Sequence, residues 1–378
     1  MAPAVSCIRG RLKCEEMNQD PMARLTDDTL VDIISRVPYK STCCCKCVST
    51  RWRDLISHPD HRKKMPQTLA GFFYETDNTR LSLHFTNVSG QGESLLDSPL
   101  SFLPPKYENV KVLDCCNGLL LCRCWKPADP ETLDYVVCNP ATEKWVVVPA
   151  TVGIFARLGF EPAVSSHFHV FEFVSVSIFW VKTEQSLYAV RSFKEVRIYS
   201  SKTGVWSHKD IAKGVAVPMN AKSVFLRGTL YLSALRDRVV AVDIEGSNWR
   251  LIPVPKAPKG KAPDDIYLSQ GQLHLAHKGD SLLSIWVLQD TGEKWTWKYN
   301  VNTLQLFREL FSSKNDYKII SIHPERNVVF IVGGCNKVLL SYNMDSREVC
   351  FIRRRGWDCM SRYIPYVPLF SNSLAHGH

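Results

Sequence analysis

No stretch of this 378-residue chain approaches the roughly 20 uninterrupted apolar residues needed to cross a bilayer as a helix. The longest candidates are cut by Glu172, Lys182 or Arg191 within a few positions. A secretory signal is missing as well, because Arg9, Arg11 and Lys13 alternate with Glu15, Glu16 and Asp20 where an apolar core would be needed. A soluble protein of the cytoplasm or nucleus is expected, with a disordered extension over 1–22 and a disordered tail over 371–378. The 14 cysteines then remain thiols, and their number says little about disulfides.

Catalytic signatures are also lacking. No histidine has a flanking nucleophile motif, and there is no phosphate-cradling glycine loop. His167, His169, His274, His277 and His323 could pair with Glu172, Asp280 or Glu325, and His167 and His169 share a face of an expected strand. A two-histidine metal site or an enzyme is therefore the minority alternative, set against exposed or hydrogen-bonded histidines.

The cysteines fall in two groups, Cys43, Cys44, Cys45, Cys47 and Cys115, Cys116, Cys122, Cys124. Neither has the two separated pairs typical of structural zinc, and neighbouring side chains on a helix or strand point apart. Core packing is expected, with zinc or redox sensing as the alternative. The net charge of +10 is scattered, apart from Lys256, Lys259 and Lys261 and the run Arg353, Arg354 and Arg355. Neither cluster interleaves with aromatics along one element, so no nucleic-acid partner is indicated. No cofactor, metal or membrane is called for.

What is present divides near Pro66. Residues 25–65 carry helical spacing, and almost everything after Leu69 reads as short strands, so the fold is α+β by segments. Leu30, Ile33, Ile34 and Val37 recur at three- and four-residue intervals on a helix that Thr26 or Asp27 caps and Pro38 ends. A second helical stretch over 41–48 leads to a third, where Val48, Trp52, Leu55 and Ile56 share a side and Pro59 closes it. Three short helices in about forty residues bury too little surface for comfortable independent stability, so a partner is expected.

Residues 25–38 (LTDDTLVDIISRVP) and 46–56 (KCVSTRWRDLI) resemble a plant F-box. The resemblance implies docking on a Skp-type adaptor, itself bound to a cullin, through Leu25, Leu30, Ile34, Val37, Pro38, Cys47, Val48 and Trp52. The family usually opens with Leu-Pro where Leu25-Thr26 stands, and has leucines and an arginine where Thr42, Cys43 and Cys44 stand. Such a swap forfeits about 1 to 3 kcal/mol of burial per covered site.

Beyond Leu69, no helical stretch is long enough for a crossover, which implies an all-β sandwich, barrel or propeller. A weak repeat selects the propeller: 138–145 (CNPATEKW), 199–206 (YSSKTGVW), 242–249 (VDIEGSNW) and 342–349 (YNMDSREV), with a relative at 293–295 (EKW). Hairpin signals precede them at Asn117-Gly118, Arg227-Gly228 and Gln270-Gly271. About six blades are expected, with strands near Phe72 to Phe85 and 362–370 closing the ring. The repeated tryptophans are expected to fill the space between blades, an aromatic ligand cage being the alternative.

The segments 116–122 (CNGLLLC), Asn139-Pro140 with Trp145, 158–162 (LGFEP), 199–206, 284–288 (SIWVL), 322–325 (IHPE) and 327–330 (NVVF) also resemble the F-box-associated domain of plant F-box proteins. The expected organisation is an F-box over 23–66 and an associated β-propeller over 69–370. The implied function is substrate recognition for a Skp-cullin-F-box ubiquitin ligase, without catalytic residues and with target binding on propeller loops. The alternative is an interaction scaffold whose drifted F-box does not engage the ligase.

Overall fold

The computed structural model describes residues 25–37, 42, 45–58, 61, 69–76, 82–88, 100–107, 109–126, 129–149, 155–182, 187–235, 237–255, 265–279, 281–290, 292–303, 317–333, 338–353, 363–369 and 374. Contacts divide the chain into two compact units, 1–65 and 66–378. Among the described residues, the first contains two helices with stated bounds, α1 (Asp27–Ser35) and α2 (Thr50–Ser57). The expected middle helix over 41–48 is described only at Thr42 and from Cys45 onward, and the extension over 1–22 lies outside the described residues.

In the second unit the chain winds through consecutive antiparallel sheets. After β1 (Gly71–Thr76) and β2 (Ser82–Asn87) come five four-stranded blades. These are β3 to β6 (Asn109–Cys116, Leu119–Lys126, Asp129–Asn139, Lys144–Val148) and β7 to β10 (Phe155–Gly159, His169–Lys182, Leu187–Ser200, Val205–Pro218). Then follow β11 to β14 (Ser223–Leu226, Thr229–Ala234, Arg238–Asp243, Trp249–Pro253) and β15 to β18 (Asp265–Ser269, Gln272–Lys278, Leu282–Leu288, Trp295–Asn302). The last is β19 to β22 (Tyr317–Ile322, Val328–Gly333, Val338–Asn343, Val349–Arg353), and β23 (Ile364–Tyr366) returns to pair with β1. The first strand of each blade touches the first strand of the next, from β3 through β7, β11, β15, β19 and β23 back to β3. These strands surround the axis of a six-bladed propeller.

The middle strands are apolar on both faces because each blade is covered by two neighbours. Leu119, Leu120, Leu121 and Cys122 are all buried, as are Val239, Val240, Ala241 and Val242. Near the axis, polar side chains tie blades together. Asp114 accepts from the Leu158 amide and the Ser223 hydroxyl, both at 2.9 Å, and Lys222 donates to the carbonyls of Ile319 (3.2 Å) and Ile320 (2.9 Å).

The hairpin turns need left-handed backbone at both central positions, which the sequence supplies. Asn117 and Gly118 have φ of 46° and 88°, Arg227 and Gly228 of 50° and 71°, and Gln270 and Gly271 of 51° and 67°. Trp206 and Trp295 stand at the start of the outer strands of their blades and donate to the carbonyls of Pro149 (3.3 Å), just after β6, and Pro253 (3.0 Å), the last residue of β14, both on the preceding blade. Trp249 meets Phe173 of the preceding blade edge-on. The repeated tryptophans therefore bridge blades.

The ring is closed by one short seam. Gly71, Phe72 and Phe73 pair with Tyr366, Pro365 and Ile364, and Phe73, Phe85 and Tyr366 form an aromatic cluster. Beyond the seam, buried Asn139 donates to the Leu369 carbonyl at 2.7 Å, and Leu369 lies against Gly118. Leu374, assigned from sequence to a disordered tail, is buried in the same apolar cluster as Leu369, because the blade core offers its side chain a dry site.

Gly118→Ala is expected to destabilise the propeller by about 3 kcal/mol, combining a left-handed backbone position with a Cβ only 2.4 Å from that of Leu369. Asn139→Ala, which leaves a buried carbonyl without its donor, is expected to cost about 1 to 3 kcal/mol. Urea unfolding of both variants measures the two losses.

Candidate functional site

The helical unit is built around a small core. Thr26 caps α1 by accepting from the Thr29 amide at 3.3 Å, and Ser49 caps α2 by accepting from the Trp52 amide at 3.2 Å. Arg51 reaches from α2 to the start of α1, donating to the Asp27 carboxylate from Nε (3.0 Å) and Nη2 (2.7 Å) and to the Leu25 carbonyl (2.6 Å). Leu30, Val31 and Leu55 are buried together, with Leu25 and Trp52 half-buried at the margin.

This placement redistributes the residues expected to dock a partner. Leu30 and Ile34 are wholly buried within the chain itself. The buried stripe of α1 is Leu30, Val31 and Ile34, rotated from the one expected, because Val31 takes the inward position and Ile33 is 42% exposed. Val48 lies just before the α2 cap and is 65% exposed, and Cys47 beside it is exposed too. Leu25, Val37 and Trp52 are half-buried, and Pro38 lies outside the described residues. Thr42 is buried and donates to the Val37 carbonyl at 3.2 Å, so a position where leucine was expected holds a hydrogen-bonded hydroxyl. Among the described residues, the exposed apolar surface here is Ile33, Cys47 and Val48 with the edges of Leu25, Val37 and Trp52.

In the propeller, antiparallel strands with the first strand innermost give the two ends different characters. One end carries the turns between first and second and between third and fourth strands, most of them short, with the connection over 160–168 between β7 and β8 the longest from β3 onward. The other end carries the second-to-third connections and the passages between blades, over the longer intervals 254–264, 303–316 and 354–363. At that end β8 and β9, each 14 residues long, run on past the five-residue β7. Their distal halves expose Val176, Ile178, Phe179, Trp180 and Leu187.

Comparison with known proteins follows the same division. The family model described as "F-box protein At3g26010-like, beta-propeller" matches residues 84–364, and that of the F-box domain matches 22–64. F-box protein At5g07610 of Arabidopsis thaliana is 27% identical over 307 residues, covering 73% of this chain and 70% of its own length. F-box protein At5g03970 of the same plant is 23% identical, covering 92% and 90%. Among solved structures, TolB from Acinetobacter baumannii is similar over 85% of this chain and 71% of its own, with 10% identity and a TM-score of 0.45.

Two of the histidines singled out from sequence, His323 and His274, have structural partners. His323 Nδ1 accepts from the Glu325 and Arg326 amides at 3.1 and 3.2 Å, which closes the turn before β20. His274 is buried in β16 with its Nδ1 3.1 Å from the Gln272 carbonyl. Asp280 lies outside the described residues. Among the described residues, no group of three or more His, Cys, Asp or Glu side chains is placed to hold a metal ion. Cys122, Cys124 and Cys138 sit in an apolar cluster, and burial pushes the Cys115, Cys116 and Cys124 thiols up, away from the thiolate that metal binding or nucleophilic attack requires. Cys43 and Cys44 lie outside the described residues.

Burial also holds His274 and His323 at about 4, below the ordinary imidazole value. Their neutral folded form contributes stability that is complete above about 6.5. It is lost as pH falls toward 4, since the unfolded chain takes up the protons first. The urea midpoint of the propeller is expected to be level from pH 8 to 7 and to fall between about 6.5 and 4. His274→Gln is expected to flatten part of that slope.

Proposed function

The chain belongs to the F-box protein At3g26010-like β-propeller family, and from that premise we propose that it is the target-recognition subunit of a Skp-cullin-F-box ubiquitin ligase. The observation that carries this reading is the union, in one chain, of an F-box segment that leaves Val48 and Ile33 exposed and a closed six-bladed ring. A Skp-type adaptor covers the exposed apolar positions of the helical unit, and a cullin joins through that adaptor. The propeller holds a protein target, so that the ligase acts on a lysine at raised effective concentration. The chain itself performs no bond-breaking step, and ubiquitination leads to proteasomal degradation of the target. Such a subunit works in the cytoplasm or nucleus.

The alternative, an interaction scaffold that does not engage the ligase, is motivated by the buried hydroxyl of Thr42. One measurement separates the two. The intact chain, co-expressed with a panel of Skp-type adaptors, is expected to co-purify with at least one, and failure with the whole panel leaves the scaffold. Val48→Asp is expected to weaken co-purification at least tenfold, since a carboxylate buried without a partner costs several kcal/mol. The variant should leave folding intact, because Val48 is exposed in the free chain. Leu30→Asp, by contrast, is expected to unfold the helical unit, so loss of binding there carries no information on docking.

A further inference from the structure

The third blade has an extension that blade packing does not require. β7 pairs with β8 only from His169 to Phe173, whereas β8 continues to Lys182. Register shifts at Val174, Ser175 and Ser177 bend the strand where β7 stops. Among the described residues, no strand lies beside 175–182 on the side away from β9. That edge therefore presents backbone amides and carbonyls in the spacing of a strand.

One face of the extension is apolar. Cross-strand pairing puts Ile178 opposite Arg191, Trp180 opposite Ala189 and Lys182 opposite Leu187, so these six residues share a side. Ile178, Trp180 and Leu187 are 51%, 67% and 62% exposed. Long apolar edges invite unwanted pairing and are usually blunted by charge or proline, yet between Ser175 and Val181 there is neither.

Arg191, on that same side, is 7% exposed, and its Nη1 has no hydrogen-bond partner. A desolvated guanidinium nitrogen without an acceptor is costly, and the planar fork of arginine matches a carboxylate. The Arg123 guanidinium of the neighbouring blade acts on it and adds repulsion. A strand added beside β8 would lie two strand spacings, about 10 Å, from β9, a gap that an arginine and a glutamate on one face can close together.

We infer that the free edge of β8 over 175–182 takes up an extended segment of the protein target as an added strand, its apolar side chains on Ile178, Trp180 and Leu187 and one carboxylate on Arg191. This rests on the propeller being the target-binding part of the chain, and it specifies what the target offers: alternating apolar residues and an acidic side chain in extended backbone. Backbone pairing supplies affinity, while the apolar row and the arginine select sequence.

The test pans a random dodecapeptide library displayed on phage against the intact chain, in parallel with Trp180→Ser and Arg191→Met. Enriched peptides are expected to alternate apolar residues around one fixed acidic position. Their binding as synthetic peptides should fall at least tenfold with Trp180→Ser. With Arg191→Met the acidic preference should vanish while glutamine and glutamate forms bind alike. Methylation of alternate peptide amides on one edge should abolish binding in one of the two phases only. Equal enrichment on the parent and Trp180→Ser, or enriched peptides of helical spacing or basic character, overturns the inference. So does concentration-dependent self-association that Trp180→Ser removes, because the occupant is then a second copy. Adaptor co-purification of Trp180→Ser runs alongside. Retained adaptor binding with lost peptide enrichment supports the edge, and loss of adaptor binding by the parent chain alone counts against the ligase role and not against the edge.

Discussion

Everything in the second unit depends on a seam three residues long. Gly71, Phe72 and Phe73 meet Tyr366, Pro365 and Ile364 across nearly the whole length of the propeller sequence, and without that pairing the ring has two open edges. The closing contact is non-local, so the entropy of bringing the ends together is recovered only when all six blades are in place. This sets a propeller apart from an open solenoid, whose stability is a sum over neighbours. The local chemistry reflects the demand. At Gly71 a Cβ would fall 2.0 Å from the Thr86 carbonyl oxygen, and Tyr366 packs edge-on against both Phe73 and Phe85. Asn139 and Gly118 then hold the chain after the seam, so the second blade, not the first, fastens the terminus.

Closure makes the two ends of the ring unequal, and that inequality is what a binding function can use. Tight turns at one end fix register, and five of them require a left-handed residue before the outer strand: Glu143, Gly204, Gly246, Gly292 and Arg347. At the other end the passages between blades are longer, and a connection there can grow without moving a strand. The β8–β9 extension grows from that end and remains a sheet, so its backbone stays rigid while its side chains leave the blade core. A surface of that kind orders little on binding and loses little conformational entropy.

Much of the ring was legible because its punctuation is chemical. The pairs Asn117-Gly118, Arg227-Gly228 and Gln270-Gly271 announce hairpins whose geometry few other residues accept, and Trp206 and Trp295 mark outer strands because a large ring with one donor suits the gap between blades. The extension of β8 was not legible. In sequence, 169–182 is one apolar run cut by Glu172, and nothing in its composition tells that Phe173 is covered on both sides while Trp180 is not. That difference is set by where β7 ends, a matter of partner length. In the helical unit, spacing identified the helix but misjudged its phase, since Val31 and Ile33 flank the stripe almost equally and only packing against Leu55 chooses between them.

The small helical core has a consequence for coupling between folding and docking. Among the described residues, Leu30, Val31, Ile34, Leu55 and Ile56 are the buried apolar residues of a helical segment of about forty residues, a size at which burial barely offsets chain entropy. A partner that binds only the folded form stabilises it by mass action, so docking affinity and helical stability draw on the same free energy. The buried hydroxyl of Thr42 bears on that stability: it gives up apolar burial and keeps one hydrogen bond to Val37. The propeller, closed on itself, has no such dependence. The two units thus differ in kind, one with a small core and exposed apolar positions and the other a ring closed on itself.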